Sequence, residues 1–167
     1  ALQEALSIAK KTENKSLEAL VLNDLGVLYV DLDLHKKAKK VLNNALAIRN
    51  KIGGKYDTGN IYTNLGQVEV NRCNYDAALK HSKKALSLMK RIKNESGVAT
   101  DWNNIGNCYI MMGKYEKAQQ ALQEALTIYK KRRNLLGENI ARINMGVYYC
   151  RTGQYDRALY QYNVAMD

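Results

Sequence analysis

Apolar and small residues recur along the chain three and four positions apart, in stretches broken by short polar turns. Over residues 97–112, Trp102, Ile105, Cys108, Tyr109 and Met112 fall on one side of a helix. Over 115–132, Tyr115, Ala118, Leu122, Ala125, Leu126 and Ile128 do the same, and Gly113-Lys114 marks the break between them. The pattern predicts a helical hairpin: a first helix over about 97–112, a turn, and a second helix over about 115–132.

The hairpin recurs. Leu25-Gly26-Val27-Leu28-Tyr29 returns at a constant step as Leu65-Gly66-Gln67-Val68-Glu69, Ile105-Gly106-Asn107-Cys108-Tyr109 and Met145-Gly146-Val147-Tyr148-Tyr149. Ala38, Ala78, Ala118 and Ala158 keep the same register. So do Ala5, Ala45, Ala85, Ala125 and Ala165, each followed by Leu or Met, and Tyr75, Tyr115 and Tyr155, with His35 in the first copy. A fixed period of this kind marks stacked supersecondary units. Glycine inside a helix costs about 1 kcal/mol against alanine. Its return at aligned sites implies close approach of a paired helix, which offsets that cost.

Trp102-Asn103-Asn104-Ile105-Gly106-Asn107-Cys108-Tyr109 resembles the signature W-x2-L-G-x2-Y of the tetratricopeptide repeat (TPR) family, with Ile in place of Leu. Ala118, Leu122 and Ala125 match that family's second helix. The likeness covers essentially the whole chain, with two departures: a period of forty rather than thirty-four, and no closing proline. Both are shared with the long-repeat branch that holds kinesin light chains, the LGN/Pins adaptors, and Rap- and MalT-type regulators. The extra residues are expected to lengthen the helices and their connections, at Gly53-Gly54, Asn94–Gly97 and Asn134–Gly137.

The resemblance implies an all-α, right-handed superhelical TPR solenoid of antiparallel helix pairs. Residues 1–12 would be the second helix of a preceding repeat. Repeats 1, 2 and 3 would occupy 13–52, 53–92 and 93–132, and an incomplete repeat 4 would run over 133–167, stopping at Asp167. Neither end reads as a polar capping helix. The chain is therefore expected to be a segment of a longer protein or to stack end to end.

In TPR arrays the first helices line a concave groove that holds an extended peptide or a partner's helix. By register, the lining is Leu20, Asn23, Asp24, Val27, Val30 and Asp31 in the first copy. It is Asn60, Thr63, Asn64, Gln67, Val70 and Asn71 in the second, and Thr100, Asn103, Asn104, Asn107, Ile110 and Met111 in the third. The fourth supplies Ile140, Ile143, Asn144, Val147, Cys150 and Arg151. Asn64, Asn104 and Asn144 share one position. A carboxamide both donates and accepts, so a row of them suits a peptide backbone. The competing reading is that they bond to the neighbouring repeat or to water. Val27, Val70, Ile110, Met111, Ile143 and Val147 are expected to receive apolar side chains. No cation clamp for acidic chaperone tails stands on this face.

Charge changes the picture less than its size suggests. The chain has 26 Lys+Arg against 16 Asp+Glu, a net +10, which invites a nucleic-acid reading. By register only Arg72, Arg142 and Arg151 lie on first helices. Lys10, Lys11, Arg49, Lys51, Lys90, Arg91, Lys93, Lys130, Lys131, Arg132 and Arg133 gather at the ends of second helices, and Asp76, Glu116 and Asp156 at their starts. The helix dipole favours that arrangement. The basic edge is a candidate dock for an acidic protein surface, and no aromatic-interleaved groove supports single-strand binding.

Composition otherwise excludes more than it names. With 0 Pro, 0 Phe, 12 Tyr and 46% hydrophobic residues, the chain is helical and globular rather than disordered. No apolar run is long enough for a membrane span. Cys73, Cys108 and Cys150 form no metal or disulfide pattern and read as buried or half-buried reduced thiols of a cytoplasmic protein. No nucleophile, phosphate or dinucleotide motif occurs. Neither a cofactor nor a metal nor a catalytic residue is expected. His35 is expected to pack in its turn and His81 to face solvent. Glu69, which stands where the other copies have Tyr, is read as a solvated edge or a groove contact. The expected role is a non-catalytic protein- or peptide-binding scaffold. The alternatives are a sensory or self-associating segment of a larger regulator and binding through the basic edge.

Overall fold

The computed structural model describes residues 1–166; the expected helix end at Asp167 lies outside them. Among the described residues are nine α-helices and no strand: α1 (Leu2–Lys11), α2 (Lys15–Asp31), α3 (His35–Ile52), α4 (Lys55–Asn71), α5 (Tyr75–Arg91), α6 (Glu95–Met111), α7 (Tyr115–Lys131), α8 (Leu135–Arg151) and α9 (Tyr155–Met166). This is the all-α helical-repeat class, with consecutive helices paired.

Among the described residues seven of the eight turns share one construction, the exception being Gly53-Gly54 after α3. Asn14 N–H donates to the Ala9 carbonyl (2.9 Å) and Glu13 N–H to that of Lys10 (3.2 Å), which satisfies the carbonyls left open at the end of α1. The same two bonds close α2, α4, α5, α6, α7 and α8. A residue with positive φ stands in each turn, at Glu13, Asp33, Gly53, Cys73, Lys93, Gly113, Arg133 and Gly153, at every twentieth position. The Asn14, Asn94 and Asn134 carboxamides then accept from the Leu17, Gly97 and Gly137 amides at 3.0–3.1 Å and start the next helix. Asn94–Gly97 and Asn134–Gly137, expected as connection, are thus helix caps and first turns. Gly97 and Gly137 are tolerated there because the Met89 and Tyr129 side chains fill the space that a Cβ would need.

The chain forms two compact units, Ala1–Leu88 and the remainder from Met89 onward. In the first, Leu22, Leu42, Ala45, Ile61, Leu65 and Val68 make the core. In the second, Ala99, Ala125, Leu126, Tyr129 and Ala141 form one cluster, with Trp102 packed against it. Ile110, Ala118, Leu122, Met145 and Tyr148 form another. The aligned glycines are the points of closest approach. A Cβ on Gly26 would lie 2.5 Å from Leu42 Cγ, one on Gly106 2.7 Å from Leu122 Cγ, and one on Gly146 would collide with the Tyr162 ring. The expected close pairing at Gly106 is therefore present.

Candidate binding faces of the first helices

In the first unit, α2 and α4 lie side by side and are tied by an amide bridge. Asn64 Nδ2 donates to Asn23 Oδ1 at 2.9 Å, and both side chains are half-buried. Thr63 turns its hydroxyl to the Gly59 carbonyl (3.2 Å), and Gln67 donates to Asn71 along α4 (2.7 Å). Asp24, Val27, Asp31, Gln67 and Asn71 are exposed, while Val30 packs on the core. A cavity between the two helices is lined by Leu20, Asn23, Asp24, Tyr56, Asp57 and Asn60, with Arg49 beneath.

The second unit repeats the bridge. Asn144 Nδ2 donates to Asn103 Oδ1 at 2.9 Å, with Asn103 6% exposed. Thr100 is drawn into packing: its hydroxyl donates to the Ser96 carbonyl and accepts from Tyr129. Burial raises the Tyr129 pKa, and the Thr100 hydrogen bond opposes that rise. Asn104, Asn107 and Val147 are half-buried; Met111, Ile140, Ile143, Cys150 and Arg151 are exposed. Ile110 is 3% exposed and belongs to the core, so it receives no ligand.

Asn64 and Asn144 thus bond back to the preceding first helix, as the competing reading had it. An amide has capacity for further bonds, and one is spent here. The partners are 41 residues apart, one more than the period, so aligning equivalent positions does not reveal them.

Other groups differ from expectation. Glu69 is fully buried rather than solvated. Lys39 Nζ meets its carboxylate at 2.6 Å, Arg72 at 3.5 Å and the Asn74 amide at 3.1 Å. Burial works against its ionisation, but these partners prevail and hold its pKa below the usual value. His81 does not face solvent: it is half-buried and stacks on Tyr62, with centroids 5.9 Å apart. Burial lowers its pKa; Glu69 pulls the other way, and Lys84, Lys39 and Lys80 reinforce the fall. His35 is half-buried in its turn as expected. Cys108 is buried, which pushes its thiol up to about 11, while Cys73 and Cys150 are exposed rather than half-buried.

The basic edge is less free than its residue list implies. Arg49 is 7% exposed, bonded to Ser16 and paired with Asp57, so it leaves the edge. Lys131 and Arg132 both pair with Glu95, and Lys90 sits 4.9 Å over the Trp102 ring. Lys15 and Lys55, at helix starts, add to the cations on first helices. Arg142 is buried against Glu138 and Gln161. Among the described residues no cluster of three or more His, Cys, Asp or Glu could hold a metal, and no helix is long and apolar enough to cross a membrane.

Paired helices at a fixed period, glycine contacts at aligned sites and amide-bridged first helices define an all-α repeat protein. Tetratricopeptide repeat models match residues 57–131 and 19–52, and the chain belongs to the tetratricopeptide repeat family. No curated protein matches it. Among solved structures, BtubC (BKLC) from P. vanneervenii is similar, with a TM-score of 0.77 and 23% identity over 91% of this chain and 63% of its own. The apo form of RapI has a TM-score of 0.81 and 23% identity over 98% of this chain and 62% of that one. A Rap protein complexed with Competence and Sporulation Factor has a TM-score of 0.81 and 18% identity over 96% of this chain and 50% of that one. The chain therefore spans less than two thirds of the length of each. At these identities the likeness is one of fold.

Proposed function

We propose that the chain is a non-catalytic binding scaffold that holds an extended segment of a protein partner on its first-helix faces. The observation that carries this reading is the pairing of an amide bridge with exposed apolar side chains in both units. Asn23–Asn64 is flanked by Leu20 and Val27, and Asn103–Asn144 by Met111, Ile140 and Ile143. Apolar side chains at 39–47% exposure, set among amides and a few charged groups, suit a ligand that brings side chains and backbone together. Asn60, Thr63, Gln67, Asn71, Thr100, Asn104, Asn107 and Arg151 would complete the contact surface. The bridges hold their helices in place before binding, which reduces the ordering cost. The Rap protein complexed with Competence and Sporulation Factor gives a precedent on a similar fold.

The test is selection of binders from a random peptide display library, followed by Asn104→Ala. Asn104 is half-buried and takes part in neither bridge. Its loss is expected to weaken selected peptides by about tenfold, the equivalent of about 1.4 kcal/mol, with unchanged helicity. Equal affinity would remove Asn104 from the site, and an absence of binders would end the reading.

A second reading has one observation in its favour. Tyr155, Leu159, Tyr160 and Met166 on α9 are all more than 60% exposed, an apolar surface suited to self-association. A rise of scattering mass with concentration would support it; a constant monomer mass would exclude it.

A further inference from the structure

The cavity between α2 and α4 differs from the corresponding place in the second unit in a way that selects a ligand. Two repeat lengths on, the positions of Leu20, Asp24, Arg49, Tyr56 and Asp57 hold Thr100, Asn104, Tyr129, Leu136 and Gly137. All charge has gone from the second set. In the first, Arg49 and Asp57 pair at 3.0 Å and cancel one another. Asp24 remains exposed on the cavity wall and takes part in no ion pair among the described residues. In a chain of net +10 this is a local reversal of sign.

The apolar parts match a long cationic side chain. Leu20 and Tyr56 line the same cavity at 47% and 53% exposure. They can cover the methylene stem of a lysine or arginine, whose charged head stays at the rim, and the Tyr56 ring adds attraction for a cation. Arg49 is 7% exposed on the wall of this cavity, and its guanidinium is already held by Ser16 and Asp57. An acidic side chain fits less well, since it would face Asp24 and would have to displace Asp57 to reach Arg49.

We propose that the α2–α4 cavity receives a lysine or arginine side chain of the bound peptide, with Asp24 as its counter-charge. This rests on the peptide-binding reading above and makes the first unit its specificity-determining half. It is tested by selecting a random twelve-residue peptide display library on the wild type and on Asp24→Asn, an exposed helix position whose fold is checked by circular dichroism. Wild-type binders are expected to share one basic position, and Asp24→Asn binders to lack it. A fluorescein-labelled wild-type binder should lose about fivefold in affinity on Asp24→Asn, the upper range for an exposed pair. Replacing its basic residue by norleucine should cost the same, and the two changes together no more than either alone. Binders without a basic position, binders enriched in acid, or undiminished affinity on Asp24→Asn would overturn the cavity assignment and leave the scaffold reading standing. No binders on either protein would overturn both.

Discussion

Arg49 and Asp57 form an ion pair at 3.0 Å at the repeat position where Met89 packs on Gly97 and Tyr129 packs on Gly137. One junction of the first unit is thus held by charge where two junctions of the second are held by an apolar side chain over a glycine. Removing Asp57 leaves a buried guanidinium with Ser16 as its remaining partner. Asp57→Ala is expected to lower stability by about 1–3 kcal/mol, the cost of an unsatisfied buried group. Arg49→Met combined with Asp57→Gly recreates the Met89–Gly97 arrangement and should recover most of that loss. Urea denaturation midpoints of the two variants decide the matter: a double variant no more stable than Asp57→Ala would refute the equivalence.

The buried Glu69 predicts an acid limb of stability. Its folded pKa lies below the ordinary value of 4.5 because Lys39, Arg72 and Asn74 outweigh burial. A depressed carboxylate contributes stability above its unfolded pKa and loses it as pH falls through the folded one. The gap between wild type and Glu69→Gln should therefore be full at neutral pH and start to close as pH drops through 4.5. The difference in thermal midpoint across that range is the measurement, and a gap independent of pH would contradict the assignment.

His81 offers a spectroscopic check on the same cluster. Burial, with help from Lys84, Lys39 and Lys80, sets its pKa below 6.5, while Glu69 raises it. An NMR titration of the His81 ring should show a midpoint below 6.5, and Glu69→Gln should move it lower still. A lowered histidine pKa means that the neutral ring suits the fold, so this contribution to stability fades as pH falls from 6.5.

Aligned glycines are not equivalent. A Cβ on Gly106 would come within 2.7 Å of Leu122 Cγ and 3.4 Å of its backbone nitrogen, so Gly106→Ala should cost about 1–3 kcal/mol through overpacking. On Gly66 the nearest atom is the Ser82 hydroxyl at 3.1 Å, a group that can rotate. There the helix propensity gained, about 1 kcal/mol, should bring Gly66→Ala close to neutral. Thermal midpoints of the two variants are the measurement, and equal losses would mean that register, not local contact, governs these sites.

The amide bridges and their unbridged neighbour should separate stability from binding. Asn103→Ala removes the buried end of the bond from Asn144 and should cost about 0.5–1.5 kcal/mol of stability in urea denaturation. Asn104→Ala, one residue on, should leave stability unchanged and act on peptide affinity alone.

How far the fold can be read from sequence depends on what the period carries. Gly106, Ala118 and Tyr115 belong to aligned sets, so the hairpin and its glycine contact are legible, with α6 and α7 ending within one residue of expectation. Periodicity places the start of α6 two residues late, because Asn94 caps through local side-chain chemistry that a repeat pattern does not record. The Asn23–Asn64 and Asn103–Asn144 bridges lie one residue out of register and need coordinates. Ile110, His81 and Glu69 depart from expectation for a common reason: which side a helical residue buries is decided by the partner helix. For Glu69 that partner is Lys39, on the preceding helix, at a position that is Leu79 and Gln119 in later copies.

The evenly spaced positive-φ residues have a consequence for how such a chain can change length. Among the described residues seven of the eight turns share one geometry, the α3–α4 turn at Gly53-Gly54 being the exception, so at those seven the backbone does not distinguish a first helix from a second; only the side chains do. Excising one whole repeat from turn to turn would leave the remaining helices in their first-then-second order. Excising half a repeat would leave most turns as well formed, yet each downstream sequence would take the opposite role, with first-helix side chains standing where second-helix ones belong. The backbone counts in single helices and the side chains in pairs, and only whole repeats satisfy both counts.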